Sequence, residues 1–256
     1  MGVRNKEDIL SHFGRVLLVG TLLVFWEFVS RQGLVDKTLI GTPTNFFRQA
    51  FDWVVSGYIF PHVWVTLQEV VIGLVVGTSL GILFGLFFAL FPFWGEVFEP
   101  VMVFLNAMPR VILAPLFVLW FGLGAASKIV LVVTLVFFVV FYNIYSGIME
   151  VDKDIINNAR VLGANWLELL RHIYFPAALG WIFSGLRISV GMAVVGAIIG
   201  EYMGSMKGLG NVIVNAQAFY QIDKIFAGLL LILIVVIFID SVLQRIERHF
   251  SFWRLS

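Results

Sequence analysis

The chain has 256 residues, of which 60% are hydrophobic and 13% charged, with a formal net charge of +1 and a mean hydropathy of +0.97. Soluble domains are nearer about 45–50% apolar and about 25% charged, so the composition excludes a water-soluble enzyme. So small a net charge offers no footprint for nucleic acid, and the lack of cysteine removes disulfides and thiolate ligands. His12, His62, His172 and His249 stand far apart and suggest no metal spacing. What remains is an all-α integral membrane protein in a lipid bilayer.

A helix needs about 20 mostly apolar residues to cross the hydrocarbon. The sequence predicts about six such helices in a transmembrane domain spanning 15–256, preceded by a cytoplasmic segment 1–14. The first span, Arg15–Ser30, is short and carries Glu27. No small-residue cleavage site follows it and Glu7 and Asp8 precede it, so it reads as an uncleaved helix. After Pro43, an apolar stripe of Phe46, Phe47, Ala50, Phe51 and Val54 suits a helix lying flat at the outer interface.

The second span, Val63–Leu90, holds Gly73, Gly77, Gly81 and Gly85 at four-residue spacing. They form a smooth groove where another backbone approaches closely, within the subunit or across a dimer. The third, Val97–Phe121, is interrupted by Pro109 and Pro115, with Arg110 near mid-depth and Asn106 one turn before it. Prolines free carbonyls that lipid cannot satisfy, and an Arg at mid-bilayer costs at least about 2.5 kcal/mol. Arg110 is therefore either an anion-attracting element of a path or a structural group paired with Glu69 or with the freed carbonyls. The remaining spans are Lys128–Met149, Ala178–Gly200 and Ile225–Leu243. Gly196 and Gly200 repeat the small-residue theme, and Arg187 lies close enough to its helix end to snorkel.

Six spans put both termini on one side. With the termini inside, nine cations (Arg4, Lys6, Arg15, Lys153, Arg160, Arg171, Arg245, Arg248, Arg254) face six outside (Arg31, Lys37, Arg48, Lys128, Lys207, Lys224). The excess favours cytoplasmic termini and a cytoplasmic loop 150–176 between the fourth and fifth spans. In that loop Ile155, Ile156, Ala159 and Leu162 recur at helical spacing after a cap at Asp152 or Asp154, and Gly163 ends the helix. Asn165 and Glu168 resemble a capping box for a second helix carrying Trp166, Leu167, Leu170 and Ile173, which Pro176 closes. A helix–Gly–helix hairpin with exposed apolar residues is either a docking element or a connector buried against the spans.

Asn157-Asn158-Ala159, then Gly163, Ile173 and Pro176, resembles the EAA loop of ABC-importer permeases: a Gly ten residues before an Ile and thirteen before a Pro. Thr66-Leu67 with the Gly73 ladder, Met108-Pro109 through Pro115 to Gly122, and Glu201 followed by Gly208-Leu209-Gly210 narrow the resemblance. It is to the nitrate/sulfonate/taurine/bicarbonate branch of the binding-protein-dependent permeases, and it covers nearly everything after Thr42. The sequence departs from the motif at Asn157 for Glu, Asn158 for Ala and Phe175 for Leu, which puts a charged contact there in doubt.

The resemblance implies a multi-pass permease of the bacterial inner membrane that pairs as a homodimer, with a solute path between the two permease subunits. Cytoplasmic ATP-binding subunits would grip the hairpin through Asn157, Asn158, Ala159, Gly163, Ala164, Ile173 and Pro176. ATP and Mg would be bound by those partners, since this chain has no G-x-x-x-x-G-K-[ST] run and no cofactor of its own. An extracytoplasmic solute-binding protein would deliver a small anion-like solute past Asn106, Pro109 and Arg110. The alternative is an ion-gradient-driven secondary transporter, which would favour paired carboxylates at the midplane. The sequence offers only Glu27, Glu69 and Asp240, near span ends.

Overall fold

The computed structural model describes residues 2–250, with side chains other than those of 2–13, 37–38 and 249–250. Arg254 lies outside the described residues, as do the side chains of Arg4, Lys6, Glu7, Asp8, His12, Lys37 and His249. Regular structure among the described residues is helical throughout. The first part runs α1 (Gly2–Arg31), α2 (Lys37–Ile40), α3 (Pro43–Val55), α4 (Phe60–Leu90) and α5 (Pro92–Ala107). A 3₁₀ turn (Arg110–Leu113) leads into α6 (Ala114–Phe121) and α7 (Ala125–Met149). Then come α8 (Lys153–Val161), α9 (Trp166–Leu169), a π turn (Leu170–Tyr174), α10 (Phe175–Met203), α11 (Leu209–Ala218) and α12 (Ile222–Phe250).

Among the described residues, four helical stretches are long and apolar enough to cross a membrane: Phe60–Leu90, Ala125–Met149, Trp166–Met203 and Ile222–Arg248. A fifth is counted if the bent pair Pro92–Ala107 and Arg110–Phe121 is one broken span. α1 is a continuous helix, but the stretch expected as the first span, Arg15–Ser30, carries Arg15 and Glu27 and is followed by Arg31. The chain falls into two compact units. One holds the chain through Phe60 together with Val212–Ile232; the other holds Pro61–Asn211 and the segment from Leu233 on.

In the first unit the polar groups serve one another. The Glu27 carboxylate accepts from the backbone N–H (2.9 Å) and hydroxyl (2.8 Å) of Thr44, supplying the first turn of α3 with an acceptor that Thr42 does not. Asp223 accepts from the Thr42 N–H at 2.9 Å and the Asn45 side-chain amide at 3.1 Å. The α3 stripe divides between two faces. Phe46, Ala50 and Trp53 are buried, with Phe46 against Trp26 and Phe226, whereas Phe47, Phe51 and Val54 are exposed.

In the second unit α7 lies between α4 and α10. The glycine ladder of α4 faces a ladder of β-branched residues on α7: Gly73 meets Val132, Gly77 meets Val136, Gly81 meets Val140 and Gly85 meets Ile144. A Cβ on Gly81 would lie 2.8 Å from the Val140 Cβ and 2.9 Å from the Phe137 carbonyl, so only hydrogen fits. All four β-branched residues are fully buried. On the other side of α7, Gly196 meets Leu135 and Val132, and Gly200 meets Lys128. The ladder is thus an interface within the subunit. In lipid, close backbone approach with well-matched side chains supplies the attraction that a hydrophobic effect between helices cannot.

Two sequence expectations about prolines change. Pro109 breaks the third span with a 79° bend, because Met108 before it and Pro109 itself are extended. Pro115 does not interrupt: it sits in the first turn of α6, where a missing N–H costs no ladder bond. Nor does Pro176 close the helix before the fifth span. The chain is helical from Trp166 to Met203, with Pro176 in the first turn of α10 and the π turn directly ahead absorbing the register change.

Candidate functional site

The hairpin is built by local signals. Asp152 caps α8 by accepting from the Asp154 N–H at 2.8 Å. The helix ends in a Schellman turn: Ala164 N–H donates to Ala159 O (2.9 Å) and Gly163 N–H to Arg160 O (3.0 Å). Gly163 has φ +92°, where a side chain is strained. The next helix opens with a complete capping box, Glu168 N–H to Asn165 Oδ1 at 3.0 Å and Asn165 N–H to Glu168 Oε2 at 2.8 Å.

Ala159, Gly163, Ala164 and Ile173 line one open hollow of about 450 Å³, together with Leu162 and Leu169. Glu168 and His172 complete its lining, and the apolar residues at the adjoining turn are bare: Val161 is 87% and Leu162 88% exposed. Asn157, Asn158 and Pro176 are exposed on the same segment but do not line the hollow. Val161 was missed as a candidate, because helical periodicity picks the inward face and not the tip of a turn.

The broken span brings Asn106 and Arg110 together. The Arg110 guanidinium donates to the Asn106 carbonyl (3.1 Å) and to its side-chain oxygen, and lies 4.3 Å from the ring centre of Phe138 on α7. Its Nε is buried without a hydrogen-bond partner. Pro109 is exposed beside it. The carbonyl expected to hold Arg110 is present, whereas Glu69, its other suggested partner, is buried facing Glu201 and Lys128 instead.

The sequence reading looked for paired carboxylates at the midplane and noted Glu69 near a span end, but it did not pair Glu69 with Glu201. Glu69 on α4 and Glu201 near the end of α10 are both buried and meet only through folding. Lys128, counted above as an outer-loop cation, is also sealed inside, bonded to backbone carbonyls in the first turn of α7. Its position at the head of an apolar run made it look like a loop charge.

The architecture is that of a helical transporter subunit. A chain of the MetNI methionine ABC transporter, solved in inward-facing conformations, superposes with a TM-score of 0.64 at 20% identity, covering 73% of this chain and 94% of that one. Residues 77–252 match the family described as the binding-protein-dependent transport system inner membrane component. SsuC of Bacillus subtilis, whose name assigns it provisionally to aliphatic sulfonates transport, is 32% identical over 98% of this chain and 94% of its own. The riboflavin transport system permease RibX of Chloroflexus aurantiacus is 31% identical over 92% and 88%. The chain belongs to this family. It is an inner-membrane permease subunit of an ABC importer, a transport component that works with ATPase and solute-binding partners.

Proposed function

We propose that this permease works as one half of a homodimer, with six spans and both termini cytoplasmic, and conducts a small anionic solute of the sulfonate type. The cytoplasmic ATPase subunits bind ATP and Mg and seat on the hairpin, with Asn157, Asn158 and Pro176 flanking the contact and Ala159, Gly163, Ala164 and Ile173 forming it. The solute-binding protein docks over 201–224 on the opposite side. The observation that carries this reading is the bare apolar surface of Val161 and Leu162 at the turn beside the hollow, on a hairpin held by its own caps. Apolar surface of that kind awaits a partner. Closure of the ATPase dimer on ATP then draws the two hairpins together and rocks the spans between inward- and outward-facing states.

Arg110 supports an anionic solute. Asn106 and Phe138 fix the guanidinium, and its unpartnered Nε leaves one donor for an anionic oxygen. The relatives named for sulfonate transport point the same way. In proteoliposomes containing the whole importer and its binding protein, Arg110→Ala is expected to lower uptake of a labelled alkanesulfonate about tenfold or more. The ATPase subunits should still co-purify; unchanged uptake removes Arg110 from the path. Gly163→Trp fills the hollow and strains the turn, so ATP hydrolysis should continue while uptake stops. Normal uptake per ATP would overturn the coupling assignment.

A further inference from the structure

Lys128, Glu69, Glu201 and Thr66 come from three helices and meet at a place that solvent does not reach, with exposures of 0%, 2%, 1% and 0%. Lys128 Nζ donates to the carbonyls of Leu123 (2.5 Å), Gly124 (3.0 Å) and Gly204 (2.7 Å). Three donated hydrogens belong to an ammonium and not to a neutral amine, so Lys128 is a cation. Glu201 accepts on both oxygens, from the Thr66 hydroxyl at 2.5 Å and from the Gly210 N–H at 2.6 Å. The Thr66 hydroxyl in turn accepts from the Leu209 N–H at 2.9 Å, and its own proton faces both Glu201 at 2.5 Å and the His62 carbonyl at 3.2 Å, the shorter contact going to Glu201. Glu201 is therefore the ionised member.

The Glu69 carboxyl faces the Glu201 carboxylate within the sealed cluster. Two carboxyl groups bond to each other only with a proton between them, and Glu201 is already committed as acceptor. The other Glu69 oxygen, Oε2, is buried with no partner, a position far less costly for a neutral acid than for a carboxylate. Charge counting agrees: one ammonium balances one carboxylate, whereas two carboxylates would bury an uncompensated charge. Among the described residues His62 also adjoins the cluster, its Nδ1 lying 3.1 Å from the Gly208 carbonyl oxygen and 3.2 Å from its nitrogen.

We propose that Glu69 is held as a neutral acid whose proton clamps the Glu201 carboxylate, making the two residues positioning groups for the turn 204–210 between α10 and α11. The turn is shaped around that carboxylate. Gly208 has φ +115°, and a Cβ on Gly210 would lie 2.7 Å from the Ile198 carbonyl and 2.9 Å from the Glu201 Cβ. Lys128 fixes the start of the same turn through the Gly204 carbonyl. The assignment stands independently of the solute and docking readings above.

The chain has no cysteine, so Met206→Cys, at an exposed position in the turn, gives a single thiol for a spin label. The full chain is purified with its ATPase subunits. Infrared spectra should contain a protonated-carboxyl C=O band that is lost in Glu69→Gln. The Glu69→Gln amide still donates to Glu201, so the label should stay as immobile as in the parent. Glu201→Gln sets an amide N–H against the Thr66 or Gly210 donor, and the label should become mobile. A carboxyl band undiminished in Glu69→Gln, or a turn loosened by Glu69→Gln, overturns the proposal. Both readouts rest on Glu69→Gln, so they decide the matter even if Glu201→Gln does not fold.

Discussion

The α4–α7–α10 layer and the hairpin Lys153–Ile173 use small residues for opposite ends. In the layer, glycines remove side chains so that Val132, Val136, Val140 and Ile144 can fill the space completely. In the hairpin, Gly163 is needed for a backbone turn, no heavy atom lies within 4 Å of where its Cβ would be, and the apolar residues beside it stay bare. One region buries its apolar surface within the subunit; the other leaves it bare, where the proposed ATPase contact falls. On that reading a rocking body must be rigid and its handle accessible.

Substitutions should separate the two regimes. Gly81→Leu forces α4 off α7 and is expected to cost about 3 kcal/mol or more, read as a lower thermal midpoint and poor recovery of folded protein. If it is tolerated, the ladder is looser than its contacts indicate. Leu162→Asp should leave the thermal midpoint of the isolated permease within about 0.5 kcal/mol of the parent, since the side chain touches little. It should nevertheless weaken ATPase co-purification about tenfold or more, as loss of an interface anchor does. Unaltered co-purification would make the hairpin tip a spectator. Asn165→Ala removes the capping box and should destabilise the second hairpin helix by about 1 kcal/mol, seen as faster amide exchange confined to 165–170. Arg187→Ala breaks a half-exposed ion pair with Glu247 and should shift the midpoint by less than about 1 kcal/mol.

Local signals were read well from the sequence because they act over a few residues. The Asn165–Glu168 box, the Gly163 stop and the break at Pro109 each depend on backbone chemistry within one turn. Pro176 was misread for the same reason: the π turn that accommodates it depends on how the long helix is seated, not on the proline alone. The α3 stripe predicted a helix, but which of Phe46 and Phe47 would be buried depended on Trp26 and Phe226 arriving from elsewhere in the chain. The residues proposed for coupling come from motif spacing, while Val161 carries no periodic signal.

By itself, the sequence determined that this is a helical membrane protein, where its main apolar stretches lie, and which segment forms the hairpin. Those properties follow from hydrophobicity and short-range backbone preference, which each stretch carries alone. Tertiary structure decided that the glycine ladder faces α7, and that Arg110 is held by Asn106 and Phe138 and not by Glu69. It also decided that Glu69, Lys128 and Glu201 share one buried network. A buried charge has no stable meaning until its neighbours are known, because its cost depends on the donors and counter-charges that other helices bring to it.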